Sequence, residues 1–226
     1  MKIRPETCMQ PLLAVLALSA APVHAATQNF STGEFIDAQW SSQTTADSTG
    51  SGTAITEVDG GNPGAYRRLS LVLGPDQTAV QVSLWSVASF DPSVRGRIDS
   101  VSLSYDLSRV SSSLPSATQI ARGIAVMQDG VIHRSHQGVT AIAIPDWEHF
   151  EVTDLVPLFP AVDWIAGSAI TFGLFNSAGA LETGFTIDGG YDNFAVSVEF
   201  TPVPLPAAAW MFAAAAAPAM RMRRRA

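Results

Sequence analysis

The chain has few residues that react or cross-link. Its 226 residues include one cysteine, Cys8, and one lysine, Lys2, and only 15% are charged. A single thiol excludes an intrachain disulfide framework and a zinc-cysteine cluster. Basic side chains are scarce where a folded body would lie: residues 26–200 hold 7 arginines against 19 acidic residues, a charge of −12. A nucleic-acid binder neutralises phosphates with clustered Lys and Arg, so that partner is excluded for this part, and adhesion to an anionic membrane surface is disfavoured there. Histidine is sparse as well, with His133, His136 and His149 the three beyond residue 25. No Gly-x-Ser-x-Gly elbow, phosphate loop or complete EF-hand loop accompanies them.

Long hydrophobic runs are missing too, but each end carries a short one. Lys2 and Arg4 precede Leu12-Leu13-Ala14-Val15-Leu16-Ala17-Leu18, and Val23-His24-Ala25 supplies small residues before a cut. That order is a secretory signal over residues 1–25, with signal peptidase expected to cleave between Ala25 and Ala26. Cys8 precedes the apolar run and leaves with it, so the exported chain is expected to be cysteine-free. The other end reads Thr201-Pro202-Val203-Pro204-Leu205-Pro206, then an apolar stretch to Met220 broken by Pro218, then Arg221-Met222-Arg223-Arg224-Arg225. As a helix, the 16 residues from Leu205 to Met220 span about 24 Å, a short membrane segment beside a hydrocarbon core of about 30 Å. The arginines hold its end on the cytoplasmic side.

Val203-Pro204-Leu205-Pro206, Trp210, the short apolar span and Arg221, Arg223, Arg224 and Arg225 resemble the PEP-CTERM sorting signal of Gram-negative exosortase substrates, with Leu205 where the named motif has glutamate. The resemblance covers residues 201–226. It implies transient anchoring in the inner membrane, removal of the tail by an exosortase near the proline motif, and delivery to the cell surface or extracellular matrix. A retained C-terminal anchor is the alternative, because it would obey the same charge and length rules.

Between the two ends, residues 26–200 suit one domain. All 17 glycines fall between Gly33 and Gly190 and punctuate short apolar runs. In Val101–Leu107 the apolar side chains alternate with Ser102, Ser104 and Asp106, and Phe194, Val196, Val198 and Phe200 repeat the pattern. Further strands are expected at Tyr66–Val72, Val80–Trp85, Ile120–Met127, Gly130–His136, Phe150–Thr153 and Ile170–Phe175. Asp129-Gly130 is the expected hairpin turn, and Asp154–Phe159 a short helical turn. The fold class is therefore all-β: one sandwich of jelly-roll type, flanked by the signal peptide and the short C-terminal hydrophobic helix.

Gly60-Gly61-Asn62-Pro63-Gly64-Ala65-Tyr66-Arg67, Trp147, Ile170-Thr171-Phe172-Gly173, Ile187-Asp188 and Asp192-Asn193-Phe194 occur in that order. Together they resemble the carbohydrate-binding and laminin-like jelly rolls of bacterial surface proteins. That resemblance implies polysaccharide as a partner and a structural Ca²⁺ held by Glu34, Asp37 and Asp192, whose oxygen ligands suit a hard cation.

Catalytic constellations are weak. His133 and His136 lie three apart, which on a strand sends the rings to opposite faces. Glu148 and Glu151 are a carboxylate pair of the glycosidase type. Their odd offset also separates them, with Glu148 sharing the parity of inward Phe150 and Glu151 facing water. Trp40, Trp85, Trp147 and Trp164 are the candidate sugar platforms, although tryptophans in sandwiches commonly fill the core, as the alternation around Trp85 suggests. The expectation is a non-enzymatic, exported surface or matrix protein displaying a polysaccharide-binding sandwich. Two rivals stay open: a secreted carbohydrate-active hydrolase using Glu148 or Glu151, and a structural matrix component making only protein contacts.

Overall fold

The structure is a computed structural model that describes residues 24–113, 120–135, 146–180 and 182–203. The signal segment up to Val23, the tail from Pro204 onward and His136 lie outside the described residues.

Alternating sequence becomes strand wherever one face can be buried. In β6 (Gly96–Ser112), Val101, Leu103, Tyr105 and Leu107 enter the core, while Ser102 and Ser104 point away from it. In β11 (Phe185–Pro202), Phe194, Val196 and Val198 do the same. These two long strands pair antiparallel through most of their length. Around them, one sheet runs β3 (Ser51–Gly61), β4 (Gly64–Leu73), β11, β6, β9 (Glu148–Val152), with β1 (Ala26–Thr32) paired to the second half of β11. The facing sheet runs β2 (Trp40–Thr44), β5 (Thr78–Phe90), β10 (Ile170–Gly179), β7 (Ile120–Gln128), β8 (Val131–Ser135). Apart from the β3–β4 and β7–β8 hairpins, sequential strands sit in different sheets, as in a jelly-roll sandwich. Asp129 and Gly130 both take positive φ, 53° and 76°, and turn β7 into β8. The helical turn expected near Pro157 is a 3-10 turn at Val156–Leu158.

Three strands had no clear signal in the sequence. β1 (ATQNFST), β2 (WSSQT) and most of β3 (SGTAITEVDGG) are rich in Ser, Thr and Gln, and ladder pairing with β11, β5 and β4 defines them.

The core is aromatic at one end. Trp40 stacks between Phe35 and Trp85, with ring centroids 5.5 and 5.9 Å away, and Phe194 closes the cluster. Trp40, Trp85 and Trp164 are all buried, which removes them as surface platforms. Arg67 is buried beside this cluster, its guanidinium 5.5 Å above the Trp40 ring. A fork of donors satisfies it: Nε to Ser83 Oγ at 3.1 Å, Nη2 to Ser42 Oγ at 2.9 Å, and Nη1 to Thr56 Oγ1 at 3.1 Å and to the Asp37 carboxylate. Four neighbouring side chains thereby accept from one buried cation, which is the condition for tolerating such a charge.

Candidate functional site

The face of the β3-β4-β11-β6-β9 sheet that points away from the core carries polar and aromatic groups. On edge strand β9, Phe150 and Val152 pack against the core, so residues of the other parity face outward. Trp147, just before the strand, His149 and Glu151 therefore form one stripe, with successive members about 7 Å apart. The sequence had placed Glu151 outward and Glu148 on the opposite parity, and the β9 register agrees, pairing Glu151 with Ser104 and Glu148 with Leu107. The two carboxylates do not converge on a bond between them.

Trp147 is half-buried and lies across the sheet over Gly190 of β11. Its Nε1 donates to Gly60 O at 3.3 Å, and its ring meets Tyr66 edge-on at 5.5 Å. The tip of the β3–β4 hairpin, which contains the cis bond Asn62–Pro63, folds onto the same face. There the Asn62 backbone N–H donates to Asp192, and Asn62 Nδ2 donates to Asp106 Oδ2 at 3.2 Å. Asn193 Nδ2 donates to that same Asp106 oxygen at 2.6 Å, and the Asn193 N–H donates to Asp192 Oδ1 at 2.7 Å. Asp106 Oδ1 shares a 2.6 Å hydrogen bond with His149 Nδ1. Gly61 is required at this crossing, because a Cβ there would stand 2.6 Å from Asp192 Oδ2 and 2.7 Å from two carbonyl oxygens.

Asp106 and Asp192 sit opposite each other in the β6–β11 register. Like charges in that relation repel. Burial pushes the Asp192 carboxyl up from its ordinary value; the N–H groups of Asn62 and Asn193 pull it back, and the Asp106 charge adds to the rise. Both carboxylates are saturated by amide, backbone or imidazole partners, so the pair fastens the hairpin tip to the sheet.

Beside this lock lies a shallow hollow of about 200 Å³, with Asn29, Ser31, Ser102, Ser104, Ser197 and Glu151 among its lining. It offers neutral hydroxyl and amide groups and one exposed carboxylate around apolar surface from Phe30, Leu103, Ala195 and Val196, next to the Trp147–His149–Glu151 stripe. This surface can hydrogen-bond a hydroxyl-rich chain and give it one aromatic ring to rest on.

The three residues expected to hold calcium are not gathered. Asp37 is engaged by Arg67 and by the N–H and hydroxyl of Thr56. Asp192 is locked at the hairpin tip, and Glu34 lines a separate open groove of about 540 Å³ with Ile36, Gln39 and Trp85. Among the described residues no group of three or more His, Cys, Asp and Glu side chains is arranged to hold a metal ion. His133 lies on β8 opposite Val126.

The landmarks read from the sequence, Gly60 to Tyr66, Trp147 and Asp192-Asn193, meet at this one place. Asp106 and His149, which complete it, were not marked as partners. Asp106 reads in sequence only as the polar side of an alternating strand, and its partners Asn62, His149 and Asn193 are 44, 43 and 87 positions away.

No protein-family model matches the chain, and no curated protein matches its sequence. Among solved structures it is similar to a family 22 carbohydrate-binding module of Clostridium thermocellum Xyn10B, at 11% identity and a TM-score of 0.41, covering 78% of this chain and 94% of that one. A family 11 module from Clostridium thermocellum, solved with a β-1,3-1,4-mixed-linked tetrasaccharide, is similar at 15% identity and a TM-score of 0.39, covering 74% and 94%. The xylan-binding domain CBM22-1 of Paenibacillus barcinonensis Xyn10C is similar at 10% identity and 0.40, covering 81% and 99%. At these identities and scores the likeness is one of strand arrangement.

Proposed function

We propose that the chain is an exported protein, delivered through its two terminal segments to the cell surface or extracellular matrix, whose sandwich binds polysaccharide on the outward face of the β3-β4-β11-β6-β9 sheet. The observation that carries the binding reading is the stripe of Trp147, His149 and Glu151 beside a hydroxyl-lined hollow. Neutral polysaccharide is the fitting class, because a body at −12 repels polyanions and the hollow contains no cation. Binding of this kind needs no catalytic step. The delivery reading rests on the two ends of the sequence: a cationic, apolar, small-residue leader ending at Ala25, and the proline motif, apolar span and Arg cluster from residue 201.

A glycan array and affinity electrophoresis of the secreted product test the binding. Retardation by a neutral glucan, xylan or galactan that is lost in Trp147→Ala and Glu151→Gln supports it; an array without any bound glycan overturns it and favours a structural matrix role. Glycan cleavage abolished by Glu148→Gln or Glu151→Gln would instead establish the hydrolase. Mass spectrometry of the exported product with and without the exosortase tests delivery. A new C-terminus within Val203–Pro206 is expected, and a normal product ending at Ala226 overturns sorting by cleavage.

A further inference from the structure

The end of the sandwich where β11 finishes is built so that it cannot stand away from a membrane holding the tail. Val203, the last described residue, donates its N–H to Arg95 O at 3.2 Å, and Pro202 and Thr201 pair with Gly96 and Arg97. Leu205, the first residue of the apolar span, follows two positions later. A chain covers at most about 3.6 Å per residue, so Leu205 begins within about 7 Å of Val203. The headgroup layer on either side of the hydrocarbon is itself about 5–7 Å deep. The linker is therefore no longer than the layer it has to cross. The first strand reaches the same pole, since Ala26 pairs with Phe200.

This pole exposes apolar side chains. Val94 of α1 (Pro92–Arg95) is 72% exposed, Ile165 is 64% exposed and Val203 is 54% exposed. The turn that holds Ile165 is tied to α1 and β6 by Ser93 N–H to Gly167 O at 3.2 Å and Ile98 N–H to Trp164 O at 2.8 Å. Two of the body's seven arginines, Arg95 and Arg97, stand here. Asp99 pairs with Arg97 and accepts from Thr201, Arg95 donates to Gln28, and Asp91 and Asp163 keep their charge while accepting from Ser93 and from the N–H groups of Ile165 and Ala166.

Resting on the reading of residues 201–226 as a membrane-inserted tail, we infer that this pole docks on the lipid headgroup layer while the tail is in place, with Val94 and Ile165 reaching the acyl boundary and the stems of Arg95 and Arg97 along the headgroup layer. A body at −12 would not adhere unaided; the tail supplies the attachment and the short linker sets the orientation. Side chains of this amphipathic kind are at home in the interface.

The test uses the tail-bearing product from cells lacking the exosortase, from which Cys8 has gone with the leader, with one introduced cysteine carrying an environment-sensitive fluorophore, in phosphatidylethanolamine/phosphatidylglycerol vesicles doped with nitroxide lipid. Val94→Cys and Ile165→Cys are expected to be quenched at least about twofold more than Val58→Cys and Val72→Cys, two exposed positions away from the pole. A six-residue Gly-Ser insertion between Val203 and Pro204 is expected to reduce quenching at 94 and 165 without preventing flotation with the vesicles. Flotation with positions 94 and 165 no more quenched than 58 and 72 overturns the docked pole alone. Failure to float overturns the tail reading and the docked pole with it.

Discussion

Trp147 occupies the space that a side chain at Gly190 would fill: a Cβ built there would stand 2.8 Å from Trp147 Cη2, 3.0 Å from Val110 Cγ2 and 3.1 Å from Tyr66 Cδ2. The far end of the ring thereby rests on β11, on the outward face of the sheet. Trp147→Ala is expected to weaken binding of the glycan by about tenfold or more, the effect of losing an aromatic anchor at about 1.4 kcal/mol or above. Its melting temperature should stay close to that of the unmodified protein. Gly190→Ala, which lifts the ring, should weaken binding in the same assay. Affinity unchanged from the unmodified protein in both variants, measured by isothermal titration calorimetry, would remove Trp147 from the binding surface.

Trp85 gives the opposite expectation. It is buried against Trp40 and Phe194, and its Nε1 donates to Gln39 Oε1 at 3.3 Å. Trp85→Ala should cost about 3–5 kcal/mol, read as a fall in the urea midpoint. Arg67→Lys keeps the charge but replaces a planar fork with a point donor. Several of the hydroxyls around it then lose their partner, and a loss of about 1–3 kcal/mol is expected with glycan affinity unchanged.

Acid should weaken the fold through Asp37. Partial desolvation raises its carboxyl, but hydrogen bonds from Thr56 and Arg67 and the Arg67 charge outweigh this and hold it below its ordinary value. A carboxyl with a lower pKa folded than unfolded contributes stability above its unfolded value, near 3.9, and that contribution is lost as pH falls through the folded one. Asp192, pushed upward by burial, acts with the opposite sign: the folded state holds its proton more tightly, so acidification toward pH 4 offsets part of the loss. Asp37→Asn is expected to be less stable at pH 7 and to show a flatter decline below about pH 4. Urea titrations at pH 7, 5 and 3 check this, and parallel pH profiles would refute it.

Chelation should leave the melting curve where it is. Asp37 and Asp192 spend their oxygens on Arg67, Thr56, Asn62 and Asn193, and Glu34 lies in another groove. A binding ion would stabilise the native state by mass action. Differential scanning fluorimetry in millimolar Ca²⁺ and in EGTA is expected to give one melting temperature, and a rise with Ca²⁺ would reveal a site elsewhere in the chain.

How much could be read in advance depended on what each segment does with its apolar residues. β4, β6 and β11 bury one face and β5, β7 and β10 much of both, so alternation or an apolar run marked them in the sequence. β1 and β2 carry few apolar side chains and are strands because a neighbour's backbone pairs with them, a cause the sequence does not display locally. The same division holds at the site. The Gly-Asn-Pro turn, Trp147 and Asp192-Asn193 are unusual enough to notice singly, but their convergence is a product of topology. The pairing of Asp106 with His149 follows only from the β6–β9 register. Glu148 and Glu151 were readable as non-convergent because strand parity is local. That Arg67 would be buried and engage Asp37, one of the three carboxylates expected to hold calcium, is likewise not displayed locally.

The ladder that joins Ala26 to Phe200 also orders events in time. The first strand of the body to be synthesised has as its partner the last, so β1 has nothing to pair with until almost the whole body has been made. A contact spanning nearly the full length of the body is slow to form. For this sandwich, closure of the β1–β11 ladder is the last step of folding, and it waits for the final strand of the body.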